Sequence, residues 1–273
     1  MPVIANARVG LGPKILHVWN TAGVGSVIAK FTDRTFGTQS KVIARRAADR
    51  VGLTTYGVAY PDGPAHFFLR ALSMSGAADI VHVHSLDRVV PWVKRLRGKP
   101  VVIHYHGTDI EGRWSEKSSR WKVADFVAVS TPNLLEGAPS SATFVPNPVD
   151  TDLFKPSDER APGSALSFRY GMDQEAEKAA STLGVKLTWF DRWTIPHDKM
   201  PETLSKYEYY IDMRKPPEHM VARSVGRAAL EALSCGCKVV DWSGKVIEGL
   251  PDENDPVRVA ARWNEVYGRL LRG

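Results

Sequence analysis

Four histidines, two glycine turns and one mid-helix glutamate are the residues whose types and spacing bear on chemistry. His82 and His84 lie in Ile80-Val81-His82-Val83-His84, and His104 and His106 in His104-Tyr105-His106-Gly107-Thr108-Asp109. A spacing of two puts both members of each pair on one face of a strand. Zinc is one use of such pairs, but carboxylate ligands at matching spacing are missing, so no metal site is expected. His84 and His106 end their strands, where open α/β sheets present ligands, whereas His82 and His104 lie deeper and read as hydrogen-bonded core residues. Gly107 lets a ligand come close to the backbone, which singles out His106.

Thr21-Ala22-Gly23-Val24-Gly25-Ser26 joins a first strand to a first helix. Glycines there allow a tight turn, and the helix start turns free N–H groups towards whatever sits above it. The third glycine of the dinucleotide fingerprint is absent, and no Walker-type lysine follows. The loop reads either as a phosphate or substrate loop or as a plain tight turn. Further on, Ser224 can cap a helix carrying Val225, Ala229, Ala232 and Leu233 on one side, closed by Gly236. Glu231 sits in its middle, where a lone glutamate is ordinarily solvated. Asp150-Thr151-Asp152 spells the Asp-x-Asp of metal-dependent transferases but falls in a proline-rich linker and is read as linker.

These residues need a scaffold, and the hydropathy pattern supplies one. Strands are expected at Lys14–Trp19, Lys41–Ala44, Ile80–His84, Val101–His106 and Phe126–Ser130, with helices at Val27–Arg34, Ala65–Ser75, Arg88–Leu96 and Trp114–Val123 between them. Continuous Val/Ile-rich runs separated by helices indicate a parallel sheet covered on both faces. Pro146, Asn147, Pro148, then Pro156 to Gly163, mark a boundary. The alternation restarts with strands at Ala165–Phe168, Lys186–Phe190, Tyr209–Met213 and Lys238–Trp242, and helices at Gln174–Leu183, Lys199–Lys206 and Ser224–Ser234. The expected class is α/β, two Rossmann-like domains: 1–147, a smaller 148–255, and a terminal helix over 256–273. Asp255 caps that helix, Pro256 suits its first turn, and Val259, Trp263, Val266, Tyr267 and Leu270 form its apolar face.

The 273 residues suffice for two modest cores, and 43% hydrophobic with 24% charged residues is ordinary globular composition. No apolar run reaches the roughly 18–20 residues of a membrane helix, and Met1 to Pro13 lacks a signal-peptide pattern, so a cytoplasmic location is expected. Cys235 and Cys237 are too close for a good disulfide and too few for structural zinc, and read as small buried side chains. A net charge of +6 favours an anionic partner. Zinc-finger spacing, aromatic RNA-binding signatures and basic tails are absent, so nucleic acid is not expected. Arg88, Lys94, Arg95, Arg97 and Lys99 surround Val89, Val90, Trp92, Val93 and Leu96: a helix with a core face and a solvated face, or one resting on an anionic bilayer. Arg214 and Lys215 end a strand, as phosphate ligands or as loop residues.

Taken in order, four segments resemble the retaining GT-B enzymes of glycosyltransferase family 4, in the glycogen-synthase-like superfamily. Ala78-Asp79-Ile80-Val81-His82-Val83-His84-Ser85 is similar to the family's Asp-apolar-apolar-His-x-His strand. His104–Asp109 is similar to its strand ending in His-Gly, and Val145–Pro156 to its interdomain Pro-Asn-Gly-Val-Asp…Phe-x-Pro segment. Leu230-Glu231-Ala232-Leu233-Ser234-Cys235-Gly236, then Lys238-Val239-Val240, matches the second half of its Glu–seven residues–Glu element. The likeness runs from about Lys14 to the terminal helix. It implies metal-independent transfer of a sugar from a nucleotide-sugar donor, such as a UDP- or GDP-sugar, with no cofactor. Glu231 would accept hydrogen bonds from the ribose hydroxyls, and His106 would line the sugar pocket near the reacting carbon. Gly23 and Gly25 would approach the donor diphosphate or the acceptor. Arg169 and Lys178 would neutralise the diphosphate, with His84, Gly107, Arg223 and Ser224 completing the substrate-binding set. The departing phosphate would help deprotonate the acceptor, so no protein nucleophile is implied, and the terminal helix would cross back to the first domain.

The sequence also departs from that pattern. Arg223 stands where the signature has its first glutamate, the stretch from Arg169 to Lys178 is a poor match, and the second domain is short between Leu183 and Tyr207. A catalytically degenerate binding protein and a GT-B nucleotide-sugar epimerase are the alternatives. The acceptor (lipid-linked, protein or glycan) and the oligomeric state stay open.

Overall fold

Runs of Val, Ile and Ala with little charge become strands buried on both faces, because only a sheet covered by helices can hide both sides of such a run. A computed structural model describes residues 12–157, 159–213 and 225–273. Its first sheet contains β1 (Lys14–Val18), β2 (Gln39–Arg45), β3 (Val58–Tyr60), β4 (Ile80–His84), β5 (Val101–Tyr105), β6 (Phe126–Val129) and β7 (Ala142–Phe144). The strands are all parallel and run in the order β3-β2-β1-β4-β5-β6-β7. Between them lie α1 (Val24–Phe36), α2 (Pro64–Ser75), α3 (Val90–Arg97) and the single turn α4 (Ser118–Trp121). The chain moves outward from β1 to β3 and then returns to the other side of β1 as β4. That reversal opens a crevice at the C-terminal ends of β1 and β4, where such sheets bind ligands.

The second sheet, ordered β12-β11-β10-β8-β9, is built from β8 (Ala161–Phe168), β9 (Lys186–Phe190), β10 (Tyr207–Ile211), β11 (Lys238–Val240) and β12 (Val246–Ile247). Only β12 is antiparallel. Its helices are α5 (Asp173–Leu183), α6 (Met200–Ser205) and α7 (Arg227–Ser234). β8 begins at Ala161, inside the stretch that composition marks as linker, because Pro162 and Gly163 are accommodated where pairing with β10 shifts register.

Two other elements depart from the expected pattern. The helix expected over Trp114–Val123 contracts to α4. The Trp114 indole donates to the Leu134 carbonyl at 3.0 Å and the Trp121 indole to the Trp114 carbonyl at 2.8 Å, which anchors this segment as successive turns. α7 starts at Arg227, after an extended Gly226. Ser224, the proposed cap, and the Arg214–Lys215 pair lie outside the described residues.

The last helix, α8 (Pro256–Arg272), leaves the second sheet and covers the first. The Asp255 carboxylate accepts the N–H groups of Val257 and Arg258 at 3.0 and 2.9 Å, which starts it. Val259, Trp263, Val266 and Tyr267 then bury themselves against Ile15, Ile80 and Val102 of the sheet and Val24 and Ile28 of α1. Trp263 and Tyr267 are both fully buried. Each contributes about 1.5–3 kcal/mol by area alone. The connection into the second sheet is held on α1: Asp150 and Asp152 form salt bridges with Lys30 at 2.8 and 2.9 Å, and Asp152 with Arg34 at 2.7 Å. The Asp-x-Asp carboxylates thus have cationic partners within the fold.

Candidate functional site

α1 begins where the crevice opens, and its first residues depend on glycine. Gly23 has φ of +74°, and a Cβ there would sit 2.8 Å from the Arg227 guanidinium and from the Leu53 carbonyl. Glycine is therefore favoured here by the backbone conformation and by the Leu53 carbonyl, with the Arg227 guanidinium of α7 lying against the same point. A Cβ on Gly25 would lie 3.1 Å from Asn20 Oδ1 and from His84 Nε2. The Asn20 side chain accepts the Ser26 N–H at 3.0 Å and donates to the Ser26 hydroxyl at 2.9 Å, fixing the turn against the helix.

Below this turn five histidines share one face of the first sheet. His17, His82, His84 and His104 are completely buried, and His106 is half-buried at the crevice. A chain of ring nitrogens runs inward from the crevice, His106 Nε2 to His84 Nδ1 at 3.1 Å and His84 Nε2 to His17 Nδ1 at 3.1 Å. His82 Nδ1 meets the Tyr267 hydroxyl at 2.8 Å. His104 packs against the rings of His106 and Trp263 with centroids 4.1 and 5.1 Å away. Burial lowers the pKa of His17 to about 4 against a weak opposing pull from Asp33. It lowers that of His106 to about 3, opposed by Asn147 and reinforced by Arg227. His82, His84 and His104 are depressed for the same reason, so the cluster is neutral at pH 7.

Two triplets, His17–His82–His84 and His84–His104–His106, bring ring nitrogens within 4.8 Å of one another. Imidazole lone pairs lie in the ring plane, however, and the His82–His84 and His84–His106 rings stack at 21° and 27°. Nearly parallel planes do not aim their lone pairs at one point, whereas the His104 ring is tilted by 46° from that of His84 and by 43° from that of His106.

Gly107 follows His106 with φ of +153° and open space where a Cβ would be, consistent with close approach of a ligand. The Asp109 carboxylate shapes this loop by accepting the N–H groups of His106 at 3.0 Å and Gly107 at 2.7 Å.

Opposite lies the second sheet's contribution. Glu231, 4% exposed, accepts from Arg227 Nε at 2.8 Å, one helical turn earlier in α7, and faces His197 Nε2 at 3.2 Å. Burial alone would raise the Glu231 carboxyl, but the Arg227 guanidinium and the His197 contact outweigh it and hold its pKa below the ordinary value. The His197 backbone N–H donates to Val51 of the first half at 2.7 Å, which ties the two halves together beside this pair. A cavity of about 240 Å³ lies between the halves, bounded by Ala22 and Leu53 on one side and Trp193, His197, Arg227 and Glu231 on the other.

The structure thus gathers Gly23, Gly25, His106 and Gly107 at the crevice of the first sheet, with His84 fully buried beneath them and Glu231 across the cleft; of these residues Glu231 alone borders the cavity. Arg169 follows β8 but is half-exposed, paired with Asp173 at 2.6 Å and Asp191 at 3.5 Å. Lys178 lies on the exposed face of α5, and neither residue bounds the cavity. Arg223 falls outside the described residues. Sequence reasoning passed over Arg227, Arg192 and His197. Arg192 borders the cavity and lies over the Tyr170 ring at 4.7 Å. Arg227 had a usable signal, its spacing of four from Glu231 on a helix; His197 had none.

No protein-family model and no curated protein matches the chain. Solved structures do. Over 95% of this chain and 92% of its own, an alpha-glucosyltransferase in complex with UDP and a 13-mer DNA superposes with a TM-score of 0.59 at 14% identity. AviGT4, a glycosyltransferase involved in avilamycin A biosynthesis, gives 0.62 at 14% identity, covering 96% of this chain and 98% of its own. Sucrose-phosphate synthase from Thermosynechococcus elongatus gives 0.52 at 13%, covering 95% and 92%. The two sheets, their connections and these neighbours define the GT-B fold of glycosyltransferases, two Rossmann-like domains facing a cleft.

Proposed function

We propose that this protein is a glycosyltransferase that moves a sugar from a nucleotide-sugar donor to an acceptor hydroxyl, with retention and without a metal. The observation that carries the reading is the buried Glu231–Arg227 pair at the cleft cavity, with Arg227 reaching across to Gly23. A carboxylate held ionised in a buried site is a strong acceptor for the paired hydroxyls of a ribose. When a nucleoside diphosphate leaves without a metal, its growing charge must meet fixed cations or N–H groups. Arg227 and Arg192 border the cavity and fill that role in place of Arg169 and Lys178. Neutral His106, beside the open backbone of Gly107, lines the space for the transferred sugar. The departing phosphate takes the acceptor proton, so no protein nucleophile is assigned.

Thermal shift with UDP, GDP, ADP, CMP and their common sugar conjugates, with and without magnesium, tests this. A ligand at a hundred times its Kd adds about 2.7 kcal/mol. Stabilisation by one nucleoside diphosphate without magnesium is expected; no shift with any of them overturns the reading. A catalytically silent binding protein is the second reading, favoured by Arg223 at the position of the signature's first glutamate. Donor hydrolysis in the absence of an acceptor, abolished by Glu231→Ala with folding intact, would decide against it.

A further inference from the structure

A second cavity, of about 410 Å³, adjoins the first and shares Ala22, Leu53 and Trp193 with it. It lies over the C-terminal ends of β1 and β2, on the first domain, and its cationic residues are Arg45 and Arg50. Neither arginine has an ion pair among the described residues; Arg45 donates only its Nε, to the Asp62 carbonyl at 3.2 Å. The one acid bordering the cavity, Asp49, is already engaged, its two oxygens accepting the N–H groups of Leu53 at 2.5 Å and Thr54 at 3.0 Å. Trp19 and Trp193 form aromatic walls. Backbone strain gathers here too: Trp19, Ala22 and Trp193 hold φ of +67°, +50° and +62°, and the remaining non-glycine residue with positive φ among those described, Ser85, accepts a hydrogen bond from Thr21 at 2.8 Å. Residues held in so sparsely populated a region persist where the surrounding structure requires them, commonly at ligand sites.

We infer that this cavity is a subsite for a small acceptor bearing an oxyanion, a phosphate or a carboxylate, which Arg45 and Arg50 bind while its hydroxyl is presented to the donor cavity. The inference rests on the glycosyltransferase reading. Guanidinium groups without carboxylate partners favour an oxyanion, since their fork matches its geometry and no internal ion pair must first be broken. The volume suits a small molecule rather than a polymer.

The test begins with the donor site of the wild-type protein saturated by whichever nucleoside diphosphate stabilises it, so that phosphate cannot occupy that site. Inorganic phosphate, acetate and a 13-nucleotide oligothymidylate are then titrated by calorimetry. Saturable binding of phosphate or acetate is expected, the stronger of the two naming the oxyanion. Arg45→Gln and Arg50→Gln should each weaken it about 10–100-fold, the loss of one charge-assisted contact. The double variant Arg45→Lys/Arg50→Lys, which keeps both charges but not the planar forks, should still bind saturably but more weakly than the wild type, with a wild-type melting temperature as the folding control. Absence of phosphate and acetate binding, or binding by both Gln variants as tight as that of the wild type, overturns the inference. Oligothymidylate binding that far exceeds that of either small anion overturns it as well. Failure of every nucleoside diphosphate to bind is read in the first step, and separates failure of the donor reading from failure of this one.

Discussion

Glu231→Gln is the substitution that asks most of the proposed site. It keeps the side-chain shape and removes one charge, leaving Arg227, whose side chain is only 12% exposed, with no carboxylate on its Nε. Removing one partner of a buried ion pair costs about 3–5 kcal/mol. With about 2–4 °C per kcal/mol for larger domains, the melting temperature should fall by about 10 °C. The variant also exchanges the charged, two-oxygen acceptor for the ribose hydroxyls for a neutral amide with one acceptor oxygen. One or two charge-assisted hydrogen bonds at about 1.5–3 kcal/mol each predict nucleoside diphosphate binding weaker by about a hundredfold or more. The double variant Arg227→Met/Glu231→Gln separates the two effects. It deletes both charges and should recover most of the stability but none of the affinity. Differential scanning fluorimetry and calorimetric titration on the three proteins read both quantities. The reasoning is refuted if Glu231→Gln melts close to wild type, or if the double variant binds the nucleotide as well as wild type does. The pH dependence has a definite sign. A carboxyl depressed in the folded state stabilises above its ordinary value of about 4.3 and loses that contribution as pH falls through the folded value, so the gap between wild type and Glu231→Gln should narrow in strong acid.

The histidine cluster makes the facing half of the fold acid-sensitive: its pKa values are depressed by folding, so the unfolded chain binds more protons between the unfolded value near 6.5 and the folded value of about 4 for His17. Stability is complete above about pH 6.5 and declines towards pH 4, His17 alone accounting for on the order of 3 kcal/mol; urea midpoints that are flat from pH 7.5 to 4.5 would contradict this. Tyr267→Phe removes the hydroxyl partner of His82 and should cost about 1–3 kcal/mol, measured by urea unfolding, with the terminal helix otherwise retained. If His106 lines the sugar pocket as proposed, His106→Ala should lower transfer turnover by about 10²-fold or more while leaving the nucleoside diphosphate Kd nearly unchanged. α3 leaves Trp92 and Leu96 about half exposed beside Arg88 and Arg95; if this face rests on an anionic bilayer, the protein should sediment with phosphatidylglycerol vesicles and not with phosphatidylcholine, and Trp92→Ala/Leu96→Ser should abolish the difference.

Much of this molecule is legible along the chain. Local hydropathy periods reveal burial, so the strands at Lys14, Ile80, Val101 and Phe126, the return of the alternation after the prolines, and the amphipathic face of the terminal helix all follow from residue order. So does the placing of His84 and His106 at strand ends. Short or irregular elements escape this logic: the three residues of β3 and the two of β12 are too few to show a period, and Trp114–Trp121 has a helical pattern that two indole hydrogen bonds override.

What only the tertiary structure decides is which charges are neutralised and which face the cleft. Lys30 and Asp150 are 120 residues apart, His197 and Glu231 are 34 apart, and no local period brings either pair together. Arg169 follows a strand just as a phosphate ligand would, yet Asp173 and Asp191 hold it. Arg227, which drew no notice in the sequence, reaches Gly23 across the cleft. The physical reason is that periodicity encodes whether a side chain is buried, a property of its own element. Charge pairing depends on how separate elements are stacked, and that is set by the packing of the two sheets and the return of α8 onto the first.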